Sequence, residues 1–113
     1  MALGIGLESG IIGAKSKDFI PIVITKSDTI DTLAPIAGTY YDYTNELTSL
    51  TLTVTDNILP AVIWFKSGNT ATNVVISGPG VLIPANGLEI NPNKSYELSI
   101  IKSRISLLEM EEL

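Results

Sequence analysis

The chain contains neither cysteine nor histidine. Without cysteine there is no disulfide framework, no thiolate metal site and no thiol nucleophile. Without histidine the commonest general base and metal ligand is missing. Charge is also scarce: 17% of residues are charged, against about 25% in an ordinary soluble domain. The 12 acidic and 7 basic residues give a net charge of -5. The basic ones form no concentrated face of the kind a phosphate backbone requires, so nucleic acid is not an expected partner. The longest apolar run, Ile58 to Phe65, contains Pro60 and falls well short of the roughly 18 residues of a membrane span. The opening Met-Ala-Leu-Gly-Ile-Gly-Leu-Glu lacks the basic region of a signal peptide. These features predict an intracellular product with no membrane segment.

Apolar residues, in contrast, make up 45% of the chain, and the mean hydropathy is +0.35. A chain of 113 residues forms one domain and buries roughly two-thirds of its surface on folding. Part of its apolar surface is then expected to be covered by a partner, which favours a homo-oligomer or a large assembly.

Residues 1–35 differ from the rest. Gly4, Gly6, Gly10 and Gly13 separate Ile5, Leu7, Ile11 and Ile12, and such glycine density raises the entropy of ordering a helix or strand. Phe19-Ile20-Pro21-Ile22-Val23-Ile24-Thr25 is β-prone, but Pro21 limits it to an edge strand or a strand start. The segment reads as an extended N-terminal arm that orders on a neighbouring surface, with Ile5, Leu7, Ile11, Ile12, Phe19 and Ile22 as candidate assembly contacts.

Residues 36–113 read as short strands separated by turns. In Leu47 to Thr55, Leu50, Leu52 and Val54 alternate with threonines, the period of a half-buried strand. Ala61 to Phe65 is apolar on both faces, as in a central strand. Ser67-Gly68-Asn69, Gly78-Pro79-Gly80 and Asn86-Gly87 mark turns. The predicted fold is all-β: a small antiparallel β-sandwich or barrel of six or seven strands behind the arm, with under about 10% helix. No internal repeat of fixed period is visible. The predicted core is Leu50, Leu52, Val54, Ile63, Phe65, Val75, Tyr96, Leu98 and Ile100.

No catalytic, cofactor or metal residues emerge. Asp42, Asp56, Glu89 and Glu97 lie at strand ends or on polar faces, where solvated charge is the ordinary role. Asp28 and Asp31 do not match a calcium-loop spacing and fit a local turn bond instead. Gly4 to Gly10 departs from a dinucleotide fingerprint in spacing and context. Asn93-Lys94-Ser95 matches a glycosylation sequon, and without a secretory signal it reads as a turn entering a strand. Tyr40, Tyr41, Tyr43 and Trp64 could form a sugar-stacking platform, although β-propensity alone favours aromatics there.

The run Phe65-Lys66-Ser67-Gly68-Asn69-Thr70-Ala71-Thr72-Asn73-Val74-Val75-Ile76, the spacer ending Ala85-Asn86-Gly87, and Ile90-Asn91-Pro92-Asn93-Lys94-Ser95-Tyr96-Glu97-Leu98-Ser99-Ile100 together resemble a module of tailed-bacteriophage virion proteins. Members of that family carry a loop tryptophan where this chain offers Leu82 or Ile83. The resemblance covers the stretch from Trp64 to Ile101. It implies a β-rich part of head decoration, head fibres, tail or baseplate, and no catalytic residues. The resulting expectation is a non-enzymatic virion subunit, made in the bacterial host cytoplasm, whose partners are capsid or neighbouring structural proteins. It would be capsid-associated, of the auxiliary, decoration or head-fibre kind. The alternatives are a tail or baseplate component and a glycan-binding module for host attachment.

Overall fold

The computed structural model of the chain describes residues 20–55 and 59–113. Among them are eight strands and no helix: β1 (Ile22–Lys26), β2 (Ile30–Leu33), β3 (Thr39–Glu46), β4 (Ser49–Thr53), β5 (Ala61–Lys66), β6 (Asn73–Ser77), β7 (Ser95–Ile101) and β8 (Arg104–Met110). They form a five-stranded sheet in the order β1-β3-β5-β7-β8 and a three-stranded sheet in the order β2-β4-β6.

The chain is all-β as expected, but its pairing is not the antiparallel one. The pairs β1–β3, β3–β5, β2–β4 and β4–β6 are parallel, and only β5–β7 and β7–β8 are antiparallel. Up to β6, each strand lies in the sheet opposite its predecessor, so the chain lays three coils on one another. Parallel neighbours need a crossover between them, and here a strand of the other sheet supplies it. The last two strands then stay in the five-stranded sheet as a hairpin. Lys102 and Ser103 turn it, both with positive φ (48° and 60°), as a two-residue hairpin demands.

The expected arm of residues 1–35 is also redrawn. Its residues 22–33 hold β1 and β2, which pair in register with β3 and β4. Pro21 immediately precedes β1, which is an edge strand, as the missing N–H requires.

Alternation along the strands builds one core between the sheets. Tyr41 and Tyr43 of β3, Ile63 and Phe65 of β5, and Tyr96, Leu98 and Ile100 of β7 meet Leu50 and Leu52 of β4 there. Val75 is a correction: it is 50% exposed, while Val74 and Ile76 pair with Leu50 and Leu52 and pack on the core. A slip of one residue moves a strand's whole apolar set to the other face. The apolar pieces Val81–Ile83 and Leu88–Ile90 are loop, apart from a single bridge from Leu82 to Arg104. Val81, Leu88 and Ile90 nevertheless pack on the core.

Candidate interaction surface

The coil stack has two unlike ends. At the β6/β8 end the loop from Gly78 to Lys94 crosses the core and is tied down repeatedly. Tyr96 Oη accepts from the Asn91 N–H at 2.6 Å, Ser67 Oγ donates to the Asn91 carbonyl at 2.5 Å, and Leu82 donates to the Ser103 carbonyl in the β7–β8 turn and accepts from the Ile105 N–H of β8. Gly78 makes the loop's first bend possible. Its φ is +147°, and a Cβ there would collide with the Val54 carbonyl.

At the first-coil end, β1 and β2 are the outer strands of their sheets. Ile20, Ile22, Val23, Ile24 and Ile30 are exposed there. Exposed apolar side chains beside strand edges that have no partner among the described residues mark a contact site, although Leu82, Ile83, Ile101, Leu108 and Met110 are exposed towards the other end as well.

Beneath that apolar rim sits a charged cluster. Lys26 Nζ lies 2.9 Å from Asp31 Oδ2 and 3.9 Å from Asp28 Oδ1. Tyr43 Oη donates to Asp31 Oδ2 at 2.5 Å, and the Thr32 N–H donates to Asp31 Oδ1 at 2.9 Å. Burial disfavours the Asp31 carboxylate, yet these donors and the Lys26 charge outweigh it and hold its pKa below the ordinary value. The hydrogen bond to Asp31 raises the pKa of Lys26 against the opposing effect of burial. Burial, then the bond to Asp31, pushes the Tyr43 phenol up. The cluster is therefore a stable ion pair with a neutral phenol. Three strands contribute to it, so no spacing in the sequence announces it. Asp31 does not make the turn bond expected of it: it lies in β2, accepts from the N–H of the next residue, and has its main partners on other strands.

The aromatic platform is split by the pleat. Tyr41 and Tyr43 point into the core, whereas Tyr40 and Trp64 are half-buried on the outer face of the five-stranded sheet. Their rings meet edge to face at 5.3 Å and 86°, and the indole Nε1 donates to Glu97 Oε1 at 2.9 Å. Asp42 lies beside Trp64 on the next strand. A shallow polar cleft of about 620 Å³ at the coil corners is lined by Thr44, Glu46, Thr48, Lys66, Asn69 and Thr70 among others, a feature that no motif signals.

Of the candidate assembly contacts, Ile22 lies in β1 and is 64% exposed. Ile5, Leu7, Ile11, Ile12 and Phe19 lie outside the described residues, as does Asp56 among the carboxylates. Asn93 is in the left-handed region (φ 58°) at the turn before β7, the place its sequence predicts. No cluster of three or more potential metal ligands occurs among the described residues. No described helix is long and apolar enough to cross a membrane. Comparison of the chain with protein families, with curated proteins and with solved structures finds no match.

Proposed function

We propose that the chain is a non-enzymatic structural subunit of a tailed-bacteriophage virion, capsid-associated as an auxiliary, decoration or head-fibre protein, and that its N-terminal segment joins it to the particle. The observation that carries this reading is the apolar first-coil end, where Ile20, Ile22, Val23 and Ile24 stand exposed next to residues 1–19. An assembly subunit needs such a surface, and extended segments bury much area per residue on a neighbour. The resemblance of Trp64 to Ile101 to virion modules points the same way. Mass spectrometry of purified particles tests it: the chain should be present in defined copy number, and its absence from intact particles would refute the proposal. Deletion of residues 1–17 should abolish incorporation. Normal incorporation of that variant would move the attachment site to the β body.

A second reading rests on the Tyr40–Trp64 pair, whose edge-to-face rings on an outer sheet face could stack a sugar. Trp64 is the only tryptophan, so its fluorescence should change on titration with a bound glycan. Silence across a glycan array would remove this reading.

A further inference from the structure

We infer that two copies of this chain join edge to edge through β1, antiparallel about a two-fold axis at Ile24, so that their five-stranded sheets merge into one. The inference rests on β1 itself and is independent of the virion reading. The Ile22 N–H donates to the Gly38 carbonyl beside β3. Because N–H and C=O groups alternate sides along a strand, Val23 and Thr25 turn theirs to the edge that no described strand covers. In an antiparallel self-pairing, Val23 of each copy exchanges both bonds with Thr25 of the other, and Ile24 opposes Ile24. Pro21, with no N–H, ends the ladder on one side.

Charge favours this edge over those of β2 and β8, and exposure favours it over the uncharged edge of β6, where Val74 and Ile76 are half-buried while Ile22, Val23 and Ile24 are all exposed. Lys26 is the one charged residue of β1; self-pairing sets it opposite Ile22, and its charge is already answered by Asp31 and Asp28. Inward-pointing charges commonly blunt a strand edge, but here they are bonded to each other. The edge of β2 fits worse, since Asp31 at its centre would face its own copy. The edge of β8 carries Arg104 and Glu109 and is followed by Glu111 and Glu112. A two-fold pair uses the β1 edge of both copies, so it closes on itself and does not continue as a filament through that edge.

Sedimentation equilibrium of the full chain across the micromolar range should show a reversible dimer. Ile24→Lys and Thr25→Pro should each weaken it at least about tenfold, or 1.4 kcal/mol, while circular dichroism keeps its β signature. Leu108→Lys, on β8, should leave the dimer intact. Because the chain has no cysteine, Ile24→Cys introduces a single thiol that should oxidise to a covalent dimer, and Leu108→Cys should not. A chain that stays monomeric throughout, as it would if residues 1–19 cover β1, overturns the inference. So does a dimer indifferent to Ile24→Lys and Thr25→Pro.

Discussion

The two ends of the coil stack are made from the same kind of strand and finish differently. At the β6/β8 end a loop and a hairpin follow the last coil, and the loop lays Val81, Leu88 and Ile90 over the core. At the β1/β2 end the described residues place nothing over Ile22, Val23 and Ile24, and the interior holds the Lys26–Asp31–Tyr43 cluster where the other coils hold leucine and phenylalanine. Stability should therefore be graded along the stack, greatest where burial is complete and least where a partner is needed.

The steepest part of that gradient is the middle coil. Leu52 and Ile63 are fully buried, so Leu52→Ala or Ile63→Ala should cost about 2–5 kcal/mol in chemical denaturation. Gly78→Ala should be of similar severity, because a Cβ there meets backbone and the φ is unfavourable for any other residue. An unchanged midpoint for Gly78→Ala would mean that the loop bends elsewhere and that the capped end is looser than described.

Neighbouring residues of β6 sharpen the same point. Val74→Asp should unfold the domain, whereas Val75→Asp, on the exposed face, should stay within about 0.5 kcal/mol of the parent. Equal effects would place the strand in the wrong register.

Smaller effects are expected at the charged cluster. Tyr43→Phe removes a hydrogen bond to a carboxylate and should cost about 1–2 kcal/mol. The contribution of Asp31, whose pKa is depressed below its ordinary 3.8, is present above that value and is lost as pH falls through the lower folded pKa. That of Lys26, raised above 10.5, is complete below 10.5 and is lost as pH rises through the higher folded pKa. Stability curves of the parent and of Asp31→Asn should therefore converge in acid. Smallest of all, Ile22→Ser should change monomer stability by less than about 0.5 kcal/mol, since its side chain is largely in solvent.

Much of the core was legible because Leu50, Leu52 and Val54, and Tyr96, Leu98 and Ile100, alternate cleanly with polar residues. Strand direction was not legible. A parallel coil and an antiparallel sandwich both place every second residue inside, so the same pattern serves either. The coils also escape a search for repeats because their length grows: paired residues lie 17 positions apart in the first coil (22 to 39) and 24 in the last (49 to 73). Val75 was misplaced because Val74, Val75 and Ile76 are all apolar and leave the phase of β6 open. The contact surface was half visible: Ile22 stood out as apolar beside Pro21, but the strand Ile-Asp-Thr-Leu of β2 is too short and polar to read as such. Only its pairing with β4 shows that both sheets end together.

Amide hydrogen exchange followed at several protein concentrations addresses the open end most directly. The Ile22 amide, bonded to Gly38, and those of the central strand β5 should stay protected at every concentration. The Val23 and Thr25 amides should be protected in concentrated solution and exchange freely on dilution. Free exchange of Val23 and Thr25 at all concentrations, or protection that survives dilution, would contradict an open β1 edge that closes against a second copy.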